Sequence, residues 1–158
     1  MTAGVTNGGH MAHEGNISPE LDELSCELLG EALDLLAAGE DVNVLLVVQD
    51  AAGAVAPFEF SDDGAEECLE GAYAKVKELA SAKGDPKAGL GAPVRYAICY
   101  EGAVADDETG CFLDAVILEF GEKGTPTFSA FSLFEGKGAG EAFSWTDPAP
   151  AGEVPSLL

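Results

Sequence analysis

The stretch from Cys111 to Phe134 restricts most strongly what this chain can fold into. It reads CFLDAVILEFGEKGTPTFSAFSLF, with two runs rich in β-branched and aromatic residues on either side of a turn at 121–124. Such runs favour strands, and a short glycine-containing connection favours antiparallel pairing. We therefore predict a long β-hairpin, which is the largest apolar surface in the sequence and needs cover from other elements.

Two segments upstream have the periodicity of amphipathic helices. The first begins at Ser18-Pro19-Glu20, where serine can cap, proline suits the first helical position and the acid favours the positive end of the helix dipole. It ends at Gly39, and the second runs from about residue 64 to Gly84. Each has one stripe of leucine, alanine or valine, which predicts that both helices cover the hairpin.

Further runs indicate strands on either side of the second helix. One run is apolar on both faces, which is typical of a strand covered on both sides, and two alternate between apolar and polar residues. Pro57 favours an edge position for its strand. In the last and shortest run we expect Phe143 and Trp145 to point inward. The runs are 42–49, 54–60, 94–101 and 141–146.

The pattern predicts one α+β domain at 18–146, with the order α-β-β-α-β-β-β, one further short strand, and a mainly antiparallel sheet packed by two helices. Residues 1–17 are predicted to be a flexible N-terminal arm and 147–158 a proline-rich C-terminal tail. Over residues 18–134 this order resembles the roadblock and profilin-like folds, in which a central antiparallel sheet carries helices. No residue motif is shared, so the resemblance assigns no functional residue. Those families typically continue into a final helix, whereas this chain continues as FSWTD and the tail.

Charge and cysteine content narrow the function classes. The 29 acidic and 7 basic residues give a net charge of −22, which repels phosphates and excludes nucleic acid and anionic membranes as partners. No secretory signal is visible at the N-terminus. The four cysteines lack CxxC or zinc-like spacing, so we interpret them as small buried residues of a reduced, cytoplasmic protein. A contact between Cys99 and Cys111, on strands that we expect to be neighbours, is the alternative.

Two acids lie inside the otherwise apolar first strand of the hairpin. Asp114 and Glu119 differ in parity, so they point to opposite faces of the sheet. Asp114 shares its face with apolar residues, so we expect it to be partly buried, and a buried carboxylate needs a partner. Arg95, the one arginine of the chain, is the predicted cross-strand partner. In the alternative interpretation, Asp114 is the carboxylate of a ligand pocket.

The C-terminal half also contains many aromatic residues, which pack the core or line a ligand pocket or a dimer surface. No catalytic or cofactor motif is present, so we predict no catalytic residue, no cofactor and no metal. The candidate ligand-binding residues are Arg95, Asp114, Glu119, Tyr96 and Tyr100.

Acidic segments are the remaining candidates for chemistry. Residues 59–70 overlap an EF-hand calcium loop at several positions, and Asp106-Asp107-Glu108 forms an acidic loop tip. His10 and His13 are the only histidines and lie in the predicted arm. A capped helix start and a solvated turn explain the first two segments equally well.

These features favour a non-catalytic interaction or regulatory module that binds a protein partner or associates with itself. Two alternatives remain open. One is a small-ligand-binding protein or enzyme with a pocket between sheet and helices. The other is a weak divalent-cation binder that uses the acidic loops.

Overall fold

A computed structural model describes residues 17–61 and 64–158. The predicted order of elements is confirmed, as is the α+β class. The arm predicted at 1–17 lies outside the described residues except for Ile17. The elements are α1 (Pro19–Ala37), β1 (Val44–Asp50), β2 (Val55–Phe60), α2 (Ala65–Ser81), β3 (Pro93–Ala105), β4 (Phe112–Glu122), β5 (Thr127–Glu135), β6 (Ser144–Trp145) and β7 (Ala149–Val154).

Local sequence signals set the ends of α1. The Ser18 hydroxyl accepts a hydrogen bond from the Leu21 amide at 3.1 Å, and Pro19 occupies the first turn. At the other end, Gly39 has a φ of +86°, a conformation that a residue with a side chain rarely adopts. A Cβ at this position would lie 3.2 Å from the Cα of Gly138. Gly39 therefore also allows the turn after β5 to pack against the end of α1.

The described strands pair only in antiparallel fashion, in the order β2-β1-β3-β4-β5, with β6 and β7 sharing the outer side of β5. The predicted hairpin is confirmed as β4 and β5, the short strand at 141–146 as β6, and the edge position of the strand with Pro57 as β2. Strand β7 was not predicted, because Pro150 and its neighbours indicate a loose segment. An outer strand tolerates proline, since one of its sides needs no ladder bonds.

The two helices lie on opposite faces of the sheet. Helix α1 lies over β3 and β4, whereas α2 lies over β1, β2 and β3 and contacts β4 through Tyr73. This explains why β1 is apolar on both faces. The prediction that both helices cover the hairpin is wrong for α2, because α2 connects the edge strand β2 to β3 and stays on that side of the sheet. Beside α2, Leu157 and Leu158 pack on the same core cluster as Tyr96.

The cysteines correct two further predictions. Cys99 is buried beneath α1 and lies opposite Leu118, so it does not meet Cys111. Cys111 is exposed, because it lies in the loop just ahead of β4 and not in a strand. None of the four thiols is bridged. Cys26 is half-buried, and burial, followed by the charge of Asp22, raises its pKa to about 12. Within the described ranges, no helix is both long and apolar enough to cross a membrane.

Candidate binding site at a split between two strands

The predicted Arg95–Asp114 pair does not form. In the β3–β4 ladder Arg95 lies opposite Glu122, whereas Asp114 lies opposite Ala103 near the other end. Arg95 donates hydrogen bonds to Glu122 Oε2 at 2.9 Å and to Gln49 Oε1 at 2.7 Å. Asp114 is exposed, so its predicted burial is also wrong. The reason is the antiparallel pairing, in which a residue early in β3 meets a residue late in β4.

Glu119 is buried and lies in a cluster with the half-buried Tyr73 and Tyr100, and we call these three residues the Tyr–Glu cluster. Glu119 is only 7% exposed. Its carboxylate accepts hydrogen bonds from the Tyr73 hydroxyl at 2.7 and 2.9 Å, and from the Tyr100 hydroxyl at 2.8 Å. The cluster thus joins α2, β3 and β4 on one face of the sheet.

The electrostatics of the cluster keep both phenols protonated. Burial raises the pKa of Tyr73 and of Tyr100, and the neighbouring Glu119 carboxylate raises both further. The phenols therefore act as hydrogen-bond donors, and the carboxylate has its partners inside the fold. This arrangement is typical of a polar tie between a helix and a sheet.

Glu119, Tyr100 and Tyr96 are among the five candidate ligand-binding residues of the sequence analysis, whereas Tyr73 is not. The Tyr96 hydroxyl contacts Thr127 Oγ1 at 3.4 Å and not the carboxylate. Burial raises the pKa of Tyr96 as well. Tyr73 is one member of the apolar stripe of α2, and only its polar tip distinguishes it from its leucine and alanine neighbours. A tyrosine in a buried stripe needs a hydrogen-bond partner, and this requirement was the signal available in the sequence.

A second and more open site lies where β4 and β5 separate. The β4–β5 ladder ends at the pair Ala115↔Leu133. Beyond it, β4 continues to pair with β3 as far as Phe112, and β5 continues with β6 as far as Glu135. The strands diverge around a cleft of about 530 Å³, lined by residues 112–114, 133–136 and 144–146. We call this cleft and its lining residues the fork.

The fork exposes large apolar side chains. Phe112 is 75% exposed, Trp145 56% and Leu113 37%. Trp145 is the outer end of an aromatic row in which Phe134 and Phe143 are buried, with ring centroids 5.8 Å apart for the first pair and 5.9 Å for Phe143 and Trp145. The prediction that Phe143 points inward is confirmed, and that for Trp145 is wrong. Strand β6 is two residues long and lies at the margin of the sheet, so Trp145 stays half-exposed.

Strand backbone also faces the fork. The Asp106 amide donates to the Cys111 carbonyl at 2.8 Å, which identifies that pair as a hydrogen-bonded one. Such pairs alternate along an antiparallel ladder, so Phe112 and Asp114 direct their backbone groups away from β3, toward the fork. On β5, both backbone groups of Leu133 form hydrogen bonds with Thr146, on the outer side of the strand. The backbone groups of the next residue, Phe134, therefore point to the inner side, toward β4.

The charge of the fork is negative. Of the described residues that line it, Asp114 and Glu135 are acidic and none is basic. Both acids are exposed. The fork therefore combines apolar and aromatic surface, strand backbone and negative charge within one cleft.

The predicted cation sites find no geometric support among the described residues, where no three histidine, cysteine, aspartate or glutamate residues are placed to hold a metal. In the acidic loop, the Asp106 carboxylate accepts hydrogen bonds from the Glu108 amide and the Thr109 hydroxyl, which is an ordinary turn. His10 and His13, as well as residues 62–63 of the EF-hand overlap, lie outside the described residues.

A second cleft, of about 490 Å³, lies between the start of α1 and the β1–β2 hairpin. Its polar lining includes Glu20, Glu23 and Glu27 of α1 and Gln49 of β1. Neither cleft is lined by Glu119, Tyr96 or Tyr100. Of the five candidate ligand-binding residues, Asp114 alone lines one of these two clefts.

Comparison with known proteins adds no further assignment. No family model matches the sequence, and neither a curated protein nor a solved structure gives a significant match. The likeness in element order to the roadblock and profilin-like folds therefore rests on the sequence pattern alone.

Proposed function

We propose that this protein is a non-catalytic interaction module that binds a protein partner through the fork. The observation that supports this function is the exposure of Phe112, Leu113 and Trp145 around one cleft of a strongly acidic chain. Exposed apolar side chains that lie together typically mark interaction sites, and aromatic residues are enriched there. The proposal includes a cytoplasmic location, which the reduced cysteines support.

The alternative of a ligand pocket or an active site between sheet and helices has weaker support. Its best candidate is the Tyr–Glu cluster, where the Glu119 carboxylate already accepts hydrogen bonds from two phenols. A ligand would have to displace these bonds before it reached the carboxylate. The fork requires no such rearrangement, because its apolar and backbone surfaces already face solvent.

Trp145 allows a direct test, since it is the only tryptophan in the sequence. Peptides are selected from a display library against the immobilised protein, and each is then titrated while the tryptophan emission is recorded. We expect selected peptides to shift the emission to the blue, because they bury the half-exposed indole. Sedimentation over a range of concentrations tests self-association at the same surface.

Matched variants locate the effect. Phe112→Ser removes an exposed ring at the fork, and Val55→Ser removes an exposed apolar side chain of β2, on the far edge of the sheet. We expect the first to weaken peptide binding at least tenfold and the second to leave it unchanged. If no selected peptide changes Trp145 emission, no self-association buries it, and Phe112→Ser has no effect, the proposed function is wrong.

A further inference from the structure

The geometry of the fork specifies the kind of partner, and this inference rests on the proposed function. We propose that the fork binds an extended peptide segment of alternating basic and apolar residues, which adds to β4 as a new strand beside residues 112–114. Addition of a strand to an exposed sheet edge is a general mode of peptide recognition, in which main-chain hydrogen bonds supply affinity and alternate side chains supply specificity.

The backbone argument comes first. Phe112 points both backbone groups into the fork, beyond the end of the ladder with β5 at Ala115↔Leu133. Asp114 points its groups the same way but lies next to that last pair, so Phe112 is the open position of this edge. Residues 112–114 of β4 provide a strand edge of roughly 10 Å at the usual rise per residue. An extended segment of similar length would pair with this edge at Phe112.

The outer sides of β5 and β2 suit an incoming strand less well. The outer side of β5 is occupied by β6 and β7, and Thr146 bonds to Leu133 between them. On the β1–β2 ladder, the Asp50 amide donates to the Ala54 carbonyl, so that pair is hydrogen-bonded. Hydrogen-bonded pairs alternate along the ladder, so the backbone of Pro57 faces away from β1, toward the outer edge. Proline has no N–H, so that edge lacks a donor at its middle. The fork is therefore favoured over both of these places for strand addition.

Side chains define the composition of the segment. An added strand has side chains on both faces of the sheet, as β4 does, where Phe112 and Leu113 point to opposite faces. Apolar residues of the segment would pack beside Phe112 and Trp145 on one face or beside Leu113 on the other. An alternating segment has its basic residues on the face opposite its apolar ones, so they would lie near Glu135 in the first case and near Asp114 in the second, where opposite charges across strands are favourable. The net charge of −22 attracts such a segment from a distance and repels an acidic one.

The test uses the wild-type protein and a family of synthetic peptides. The parent alternates lysine and valine, one control replaces every lysine by glutamate, and two isomers carry N-methyl groups on either all valines or all lysines. N-methylation at alternate residues removes the donors along one edge of an extended peptide and preserves charge and side chains. We expect the parent to shift Trp145 emission, one isomer at least to bind tenfold more weakly, and the glutamate peptide not to bind.

Amide hydrogen exchange provides a second readout. Paired strand addition slows exchange at Phe112 or Asp114, whereas adsorption through side chains alone leaves it unchanged. We expect slower exchange with the parent peptide and unchanged exchange in the Tyr–Glu cluster, which serves as the internal control.

The outcomes separate this inference from the proposed function. If both methylated isomers bind as tightly as the parent, strand addition is wrong and binding at the fork stands. The same holds if only peptides of another composition bind, or if a second copy of the chain buries Trp145. If neither peptides nor self-association affect Trp145, both proposals fail.

Discussion

Strand β4 carries two acids five residues apart whose surroundings are opposite. Glu119 is 7% exposed and accepts hydrogen bonds from Tyr73 and Tyr100, whereas Asp114 is exposed at the rim of the fork. Glu119 faces the side of the sheet on which α2 lies, and Asp114 faces the other, beyond the reach of α1. The difference shows that a carboxylate on an apolar strand is buried or exposed according to the element above it.

This comparison assigns different roles to the two ends of β4. Hydrogen bonds in the Tyr–Glu cluster are satisfied within the fold, so changes there should alter stability. The fork presents surface that no described element covers, so changes there should alter binding and leave stability nearly constant. The following predictions test this division, from the largest expected effect to the smallest.

Removal of both phenol hydroxyls should have the largest effect. The variant Tyr73→Phe/Tyr100→Phe leaves the Glu119 carboxylate buried without its donors, and we expect a loss of about 3–5 kcal/mol in the free energy of unfolding, measured with urea. The matched control is Tyr96→Phe, whose hydroxyl meets the neutral Thr127 side chain at 3.4 Å and the Leu157 backbone, and not the carboxylate. It should cost no more than about 1 kcal/mol. Equal losses in the two variants would contradict the role of Glu119.

Alkaline pH should weaken the same region. Burial, strengthened by Glu119, raises the pKa of Tyr73 and Tyr100 above the ordinary value of about 10. Between the unfolded and folded pKa values the unfolded chain releases protons first, so stability is complete below about pH 10 and falls as the pH rises further. Each tyrosine contributes a slope of at most about 1.4 kcal/mol per pH unit, and in fact less, because both side chains are partly exposed.

Two measurements check the alkaline effect. Urea unfolding from pH 9 upward should show a shallower decline in the Tyr73→Phe/Tyr100→Phe variant than in the wild type. Tyrosinate absorbance should appear together with unfolding and not before it, because burial also raises the pKa of Tyr96, the third tyrosine of the chain. Titration of a tyrosine near pH 10 in the folded protein would contradict this prediction.

Glu122 and Asp114, the two other charged residues of β4, should differ in their effect on stability by an intermediate amount. Glu122 accepts a hydrogen bond from Arg95 at 2.9 Å, with side chains 16% and 14% exposed, respectively. We expect Glu122→Gln to lower stability by about 1–2 kcal/mol. Asp114→Asn removes a charge at the exposed fork and should change stability by less than about 0.5 kcal/mol. Thermal and urea unfolding of both variants decide whether the two ends of β4 differ as proposed.

Phe112→Ser should have the smallest effect on stability. The side chain is 75% exposed, so its removal should change the free energy of unfolding by no more than about 0.5 kcal/mol, although peptide binding is lost. Phe120→Ala, in the buried part of the same strand, is the contrasting control and should cost about 3–5 kcal/mol. A large stability loss in Phe112→Ser would mean that its ring packs within the fold.

Much of the fold could be predicted because its signals are local. Ser18 and Pro19 mark the start of α1 through backbone bonding within one turn, and Pro57 marks an edge strand because it lacks a donor. The hairpin at 111–134 follows from residue type and a short connection. Strand β7 escaped prediction, since its pairing depends on an open edge of β5 that no local pattern in 149–154 reveals.

The candidate site was much less predictable, because it depends on which elements meet. The sequence places Glu119 and Asp114 on opposite faces, but it does not show that Tyr73 lies above the first of them. It also predicts an unbroken hairpin, whereas β4 and β5 separate after Ala115↔Leu133. The sequence also predicts that Trp145 points inward. The residue is exposed because no described element covers it at the margin of the sheet, and the local sequence does not show this.

The sequence by itself determined the two helices, the main strands, their order and the acidic surface, because periodicity, capping and charge act within a few residues. The tertiary structure decided which face α2 covers, which carboxylate is buried and where two paired strands diverge. These features arise from contacts between residues distant in the chain. The closed Tyr–Glu cluster and the open fork, on one strand, are both consequences of that packing.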